Sequence, residues 1–136
     1  MFSIHHVALT VKDLDKSIEF YSLFGFKPIT SPISIDENLK VVHLKKDNFI
    51  LEIFSFERLK PHNKNELLKD LKKAGFRHIA FKVDDINKVL MKMKEYGLAK
   101  EDITVKKGKT GILYFFITDP DGNFVEIVQD NRELSV

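Results

Sequence analysis

The sequence predicts an α+β fold built from two β-α-β-β-β modules. The first observation is an internal repeat, because a shift of 72 residues places His6 on His78, Asp13 on Asp85 and Gly25 on Gly97. Each copy reads as a histidine, an alternating apolar run, an aspartate, an amphipathic segment and a glycine. The second observation is that further apolar runs follow the glycine in both copies. A pattern that recurs in this way indicates that one module was duplicated.

Composition limits the classes of protein to which the chain can belong. Its 136 residues suit one compact domain or two small modules that share a core. The chain is 43% hydrophobic and 31% charged, contains no cysteine and has a net charge of +2. No apolar run approaches the ~20 residues that span a bilayer, and no signal peptide is recognisable. We therefore expect a cytoplasmic protein that binds neither membrane nor nucleic acid.

The N-terminal module is predicted to span about residues 3–56. Residues 3–11 alternate as a strand, with His6 on one face. Asp13 is a suitable N-cap for an amphipathic helix that ends near Gly25. The remaining predicted elements are a strand (26–29), a loop (30–38) and two strands (39–45 and 49–54).

A linker over about residues 57–75, with a helix over 64–73, leads to the C-terminal module over about residues 76–129. The predicted elements of this module are a strand (77–83), a helix capped by Asp85 and ended by Gly97, and three strands (103–106, 111–118 and 123–128). The sequence Asp119-Pro120-Asp121-Gly122 predicts a turn before the last strand. The tail from about Asp130 is predicted to be frayed.

Each module also carries one glutamate, Glu52 or Glu126, within an otherwise apolar strand. Burying a carboxylate is costly unless it is paired or bound to a cation. His6 precedes Glu52 by 46 residues, and His78 precedes Glu126 by 48. Two histidines and two glutamates related by a pseudo-two-fold axis would form a site for a divalent metal ion, and Ni, Zn, Co, Mn and Fe all suit these ligands.

Each of these residues, taken alone, also fits a simpler interpretation, since strand histidines and glutamates commonly face water. His5 is expected to point away from His6 by strand alternation and is not taken as a ligand. His43 is expected either to line the cavity or to pack against its neighbours, and His62 to lie on the surface. The candidate walls of an apolar substrate pocket are Phe54, Phe56 and Phe115.

Three stretches carry a family resemblance: the opening His-Val-Ala-Leu-Thr-Val-Lys-Asp, the restart His-Ile-Ala-Phe-Lys-Val-Asp-Asp and the ending Asp-Pro-Asp-Gly-Asn-Phe-Val-Glu-Ile. They resemble the vicinal oxygen chelate superfamily, and most closely the glyoxalase I-like proteins within it. The resemblance implies one domain over residues 1–136. It also implies that the paired modules form a cup-shaped mixed β-sheet, with flanking helices, around a metal ion.

The same resemblance implies a ligand set and a chemistry. The ligands fall on His6, Glu52, His78 and Glu126. The implied activity is that of a metal-dependent lyase or isomerase of the glyoxalase I (lactoylglutathione lyase) type. Its substrate would be a small α-oxo or α-hydroxy compound, or the thiol adduct of one, and would react through a metal-chelated enediolate. Glu126 is the first candidate for the catalytic base and Glu52 the second.

Two positions depart from the pattern of enzymes that use glutathione. Thr10 and Phe56 stand where those enzymes commonly carry an arginine and an asparagine, and neither side chain can supply the same hydrogen bonds. The alternatives left open are an extradiol-type dioxygenase, a methylmalonyl-CoA epimerase-like isomerase and a non-catalytic drug-binding protein of the bleomycin resistance type. A homodimer is expected, with the modules paired either within one chain or between chains.

Overall fold

The computed structural model describes residues 1–60 and 66–133. The chain divides into two compact units, Met1–Asn63 and Lys64–Val136. Each unit has its own mixed sheet, five-stranded in the first and four-stranded in the second. The predicted α+β class with two related modules is therefore confirmed. Across the ranges described, no helix combines the length and apolar character that crossing a membrane requires.

Within its described residues, the first unit contains one α-helix and five β-strands. Its elements are β1 (His6–Val11), α1 (Leu14–Ser22), β2 (Lys27–Pro28), β3 (Ile33–Ser34), β4 (Leu39–Lys46) and β5 (Phe49–Phe56). The strand order is β1-β5-β4-β2, and β3 pairs with β4 beside this path. The edge strand β1 runs parallel to β5, whereas β4 and β5 form an antiparallel hairpin.

The second unit repeats this plan with one strand fewer. Its elements are α2 (Leu67–Asp70), β6 (His78–Lys82), α3 (Ile86–Glu95), β7 (Lys106–Lys107), β8 (Leu113–Thr118) and β9 (Phe124–Gln129). The strand order is β6-β9-β8-β7. The edge strand β6 runs parallel to β9, and β8 and β9 are antiparallel. The parallel first strand is thus a shared feature of both units.

The helix boundaries follow the predicted chemistry. The carboxylate of Asp13 accepts a hydrogen bond from the amide of Lys16 at 3.1 Å, and that of Asp85 accepts one from the amide of Lys88 at 3.0 Å. Both aspartates therefore act as N-caps. After each helix the backbone turns into the left-handed region at a glycine, with φ +89° at Gly25 and +70° at Gly97. Glycine adopts this conformation without the steric cost of a Cβ atom.

Each sheet has one buried face and one more open face. In the first unit the buried strand residues are Val11, Val42, Leu44, Leu51 and Ile53, and in the second they are Phe115, Ile117, Val125 and Ile127. Helices α1 and α3 contact β5 and β9 respectively, so the helices cover these faces. Because strand side chains alternate, the intervening residues, which include Glu52 and Glu126, lie on the opposite face.

Several predicted boundaries were wrong. Strand β1 begins at residue 6 rather than 3, and the predicted loop over 30–38 contains β3, because Ile33 and Ser34 pair with β4. Helix α2 has four residues where ten were predicted, and residues 64–65 of that prediction lie outside the described ranges. The predicted strand over 103–106 is reduced to β7, whose two residues pair with β8.

The predicted frayed tail was also wrong for the residues that the structure describes. The guanidinium of Arg132 donates two hydrogen bonds of 2.8 Å to the carboxylate of Asp130. It also donates one of 3.1 Å to the carbonyl of Thr110, in the loop before β8. These bonds attach the segment after β9 to its own unit, which a pattern of local sequence cannot reveal.

Candidate functional site

The open face of the first sheet brings His6 and Glu52 together. In the parallel pairing of β1 with β5, the register partner of Glu52 is Ala8, two residues after His6 and on the same face. Atom Nε2 of His6 lies 3.7 Å from Oε1 of Glu52. The sequence repeat predicted that these two residues would share a site, and within this unit the structure places them side by side.

His43 completes this cluster and bonds directly to the same carboxylate. It lies opposite Glu52 in the antiparallel register of β4 and β5. Its Nε2–H donates to Oε2 of Glu52 at 2.6 Å. The side chain of Glu52 is 19% exposed and has an imidazole beside each oxygen. The sequence left His43 between lining a cavity and packing, and the structure gives it a third role as a hydrogen-bond donor to a candidate ligand.

A signal for this contact was present in the sequence. Asp47 and Asn48 form the two-residue turn of the β4–β5 hairpin, and Asp47 adopts φ +52°. A two-residue turn pairs residue 46 with residue 49, and counting outward pairs His43 with Glu52. The register of the hairpin alone would therefore have identified His43 as a neighbour of Glu52.

His5 is not directed away from His6, so that prediction was wrong. The Nδ1 atoms of the two imidazoles lie 2.9 Å apart, within hydrogen-bonding distance. Strand alternation does not apply because His5 precedes the first residue of β1. One ring must donate and the other accept. When His6 donates from Nδ1, its Nε2 is left with a lone pair on the side of Glu52, which is the tautomer that a metal ligand requires.

The second unit reproduces the central pair. Strands β6 and β9 are parallel, and Ala80 is the register partner of Glu126. Atom Nε2 of His78 lies 2.9 Å from Oε2 of Glu126, and the glutamate side chain is 12% exposed. The two units thus present the same residue types at equivalent places in their sheets, as the repeat predicted.

The surroundings of the two glutamates differ. The residue opposite Glu126 on the neighbouring antiparallel strand is Phe116, at the position that His43 occupies in the first unit. Its ring centroid lies 5.0 Å from that of His78 and 5.8 Å from that of Tyr114. Phenylalanine carries no hydrogen-bonding group, so this strand offers Glu126 an aromatic neighbour in place of a donor.

Two of the three predicted pocket residues lie on the face of Glu52, and one does not. Phe54 and Phe56 follow Glu52 at intervals of two along β5 and therefore share its face. Phe115 is 2% exposed on the helix-covered face, so its assignment to a pocket wall was wrong. The neighbouring Phe116 instead lies on the same face as Glu126, the orientation that was expected of Phe115. His62 lies outside the described residues.

The donor atoms fit a divalent metal ion. Ligands at about 2.0–2.2 Å from a metal lie about 3–3.5 Å from their neighbours in its coordination shell. The distances of 2.9 Å and 3.7 Å between imidazole nitrogen and carboxylate oxygen are close to this range. Imidazole and carboxylate together suit Zn, Ni, Co, Fe and Mn. Within residues 1–60 and 66–133, however, no group of three or more such side chains could hold a metal by itself. Each unit therefore brings one pair of candidate ligands.

A family model for the glyoxalase/bleomycin resistance protein/dioxygenase superfamily matches residues 3–127. The chain belongs to this superfamily. The family resemblance carried by the three sequence stretches is thereby confirmed.

Relatives in this superfamily differ in their named activities. The chain is 31% identical to the uncharacterised protein YwkD of Bacillus subtilis, over 88% of this chain and 90% of the relative. It is 32% identical to a probable lactoylglutathione lyase of Synechocystis, over 94% and 95% of the two chains. It is 28% identical to the mitochondrial methylmalonyl-CoA epimerase of Bos taurus, over 93% of this chain and 73% of the epimerase.

Solved structures in the superfamily match as well. A glyoxalase family protein from Enterococcus faecalis shares 29% identity with this chain at a TM-score of 0.75. The match covers 93% of this chain and 96% of the other. These similarities support a superfamily enzyme that acts on a small molecule, and they extend over nearly the whole length of the chain.

Proposed function

We propose that this protein is a metal-dependent lyase or isomerase of the glyoxalase type. Its substrate is a small α-oxo or α-hydroxy compound, or the thiol adduct of one. The observation that carries the proposal is the repeated pair: His6 with Glu52 and His78 with Glu126 occupy equivalent strand positions in the two units. The named activities of the relatives, a lyase and an epimerase, support the same class of proton-transfer chemistry.

The proposed metal site combines both pairs, and neither pair suffices alone. His6, Glu52, His78 and Glu126 would hold the ion with two nitrogen and two oxygen atoms. A divalent ion bound there supplies Lewis-acid stabilisation of the negative charge that develops on substrate oxygens. Whether the two pairs come from one chain or from two is a separate proposal, and we expect a homodimer.

Glu126 is the proposed general base. It would take a proton from the carbon next to the substrate carbonyl and return it to that carbon or to the adjacent oxygen-bearing carbon. Its side chain is 12% exposed, so water competes little for the carboxylate. Phe116 lies opposite Glu126 and lowers the local polarity. Glu52, the second candidate, has an imidazole beside each of its two carboxylate oxygens and is less suited to receive a proton, whereas the contact of Glu126 with His78 is made through Oε2.

The carbon to which the proton is returned distinguishes a lyase or isomerase of the glyoxalase type from an epimerase. Transfer to the neighbouring carbon converts a thiohemiacetal into a thioester, whereas return to the same carbon from the opposite side inverts its configuration. Similarity to the Bos taurus epimerase favours the second outcome as the alternative. Thr10 and Phe56 argue for a thiol other than glutathione, since neither supplies a charge-assisted or amide hydrogen bond.

The test combines metal analysis with a substrate panel. The protein, purified without chelators, is expected to contain a divalent metal that the double variant His6→Ala/Glu126→Gln has lost. Metal-loaded protein is then assayed with thiohemiacetals of several thiols and with 2-methyl-branched acyl-CoA thioesters. Equal metal contents in wild type and variant would contradict the metal site. Full loading without turnover of any substrate would contradict the chemistry. Oxygen consumption with catechols would indicate a dioxygenase, and drug binding that survives chelation would indicate a binding protein.

A further inference from the structure

His43 lies beside a proposed metal ligand, and the mechanism proposed above gives it no role. His43 lies on β4, directly opposite Glu52, and the 2.6 Å bond between them is among the shortest side-chain hydrogen bonds described for the chain. The equivalent position in the second unit is Phe116. The repeat therefore conserves the ligand pair in both units but places a donor behind only one of the two glutamates.

We propose that His43 is a positioning residue that fixes Glu52 as a metal ligand through this hydrogen bond. The inference rests on the proposed function. Its chemical basis is the division of labour between the two carboxylate oxygens. Oxygen Oε2 accepts from His43, whereas Oε1 is the oxygen beside Nε2 of His6, at 3.7 Å. The oxygen nearest the other proposed ligand of the unit is thus the one that remains available to a metal.

A hydrogen bond to the second oxygen limits rotation of the carboxylate. The side chains of His43 and Glu52 are 31% and 19% exposed, so the bond competes with little solvent. A bond between an imidazole N–H and a charged carboxylate is stronger than one between neutral groups. Part of the ordering that metal binding requires is then already present in the metal-free protein. Loss of a partner that orients a ligand typically reduces metal affinity about 10–100-fold.

The difference between His43 and Phe116 gives the two glutamates different tasks. The hydrogen bond from His43 restrains the carboxylate of Glu52, which favours a permanent role for Glu52 as a metal ligand. Glu126 faces an aromatic ring from the equivalent strand position, so that position does not tie its carboxylate in the same way. The contact of Glu126 with His78 is made through Oε2, so Oε1 is the oxygen proposed to accept and return the proton. The asymmetry therefore assigns Glu52 to holding the metal and Glu126 to moving the proton.

Two substitutions separate the hydrogen bond from the ring. His43→Phe copies the residue of the second unit and keeps a ring against His6, whose centroid lies 6.4 Å from that of His43, but removes the donor. His43→Gln removes the ring and keeps an N–H donor at a similar distance from the backbone. The matched control is Lys45→Gln, two residues further along the same face of β4 and exposed.

Cobalt(II) titration of the metal-free proteins, followed by its visible absorption, measures affinity and ligand geometry without an assay of activity. We expect His43→Phe to bind Co²⁺ about 10–100-fold more weakly than wild type. His43→Gln is expected to recover most of this loss, and Lys45→Gln to match wild type. Thermal unfolding of each metal-free variant shows whether it folds.

The hydrogen bond is also measurable without metal. In a ¹⁵N-histidine NMR spectrum of the metal-free protein, the Nε2 proton of His43 is expected to be observed and to disappear in Glu52→Ala.

If wild type binds Co²⁺ and His43→Phe binds it equally well, the role of His43 is overturned while the proposed function stands. Equal losses in His43→Phe and His43→Gln would assign the effect to the ring and also overturn it. Should His43→Phe fail to fold, weak binding by folded His43→Gln or an unprotected Nε2 proton overturns it. A wild-type protein that binds no metal overturns both proposals.

Discussion

Nε2 of His78 lies 2.9 Å from Oε2 of Glu126, across the parallel strands β6 and β9. The contact is set by register, because Glu126 is paired with Ala80, two residues after the histidine. A slip of one residue would turn Glu126 toward the face that α3 covers and separate the pair. The same register relates His6 to Glu52 through Ala8. The candidate ligands are thus positioned by backbone pairing in each sheet.

Glu126→Gln is expected to lower kcat about 10²–10⁴-fold at saturating metal, the usual contribution of a general base. The amide keeps the size of the side chain and an oxygen for the metal but cannot take a proton. Glu52→Gln is expected to act mainly on metal affinity. Steady-state kinetics with rising metal concentration distinguish the two effects, and Glu95→Gln at the end of α3 is the surface control. Equal kcat values in wild type and Glu126→Gln would contradict the assignment of the base.

A homodimer with modules paired between chains makes a specific prediction for mixed variants. Both sheets end on an edge strand, β1 or β6, whose outer backbone groups can pair with a further strand, and Val7 on β1 is 45% exposed. When inactive His6→Ala and His78→Ala homodimers are mixed and exchange subunits, one site of each heterodimer receives both lesions and the other receives none. Activity is then expected to return to about half of the wild-type value per heterodimer.

The controls for this experiment are the two variants before mixing and a mixture of each variant with itself. Pairing within one chain predicts that mixing restores nothing, because each chain damages its own site. Sedimentation at micromolar concentration comes first, and a monomer there would contradict the dimer itself.

Asp13→Ala and Asp85→Ala are each expected to lower the free energy of unfolding by about 1 kcal/mol. Each substitution removes the acceptor for an amide in the first turn of α1 or α3, at 3.1 Å and 3.0 Å respectively. Urea unfolding measures the difference. Glu19→Ala, on the exposed side of α1, is the control for a change of charge without a change of cap. A loss no greater than that of the control would argue against the capping role.

Asp130→Asn is expected to destabilise the protein at neutral pH but not in strong acid. Its hydrogen bonds from Arg132 lower the pKa of the Asp130 carboxyl to about 2. Because this pKa lies below that of the unfolded chain, near 4, the carboxylate stabilises the folded state above that pH. The contribution is lost as the pH falls through about 2. Unfolding midpoints of wild type and variant are therefore expected to converge in acid, with Glu133→Gln as control. A constant difference across the pH range would contradict the linkage.

The sequence was sufficient for those features of the fold that local chemistry determines. The repeat located His6, Glu52, His78 and Glu126 on matching strands, and the aspartates marked both helix starts. These predictions succeeded because strand alternation and capping depend on residues close together in sequence. The same residue pattern occurs in both modules, so each prediction for one module was supported by the other.

The remaining features depend on contacts that such patterns do not contain. His5 meets His6 because β1 begins at residue 6 rather than at residue 3, so His5 precedes the strand and strand alternation does not apply to it. The Arg132 contact with Thr110 joins residues 22 positions apart. Phe115 and Phe116 are adjacent, so their side chains point to opposite faces of β8, but both lie in a run of mainly apolar residues. The pattern of such a run does not show which of the two faces the helix. The pairing of Phe116 with Glu126 on β9 does.

The parallel placement of β1 and β6 also bears on the order in which the protein folds. The β4–β5 hairpin closes through two residues, whereas His6 and its register partner Ile50 are 44 residues apart (50 − 6), and His78 and Phe124 are 46 apart (124 − 78). Closing long loops costs more chain entropy and slows the pairing that depends on it. We expect pulse-labelled hydrogen exchange during refolding to protect β4 and β5 before β1; simultaneous protection would contradict this order. Each candidate histidine then joins its sheet in the last pairing step, so we expect the proposed metal ion to stabilise the folded protein and not to initiate folding.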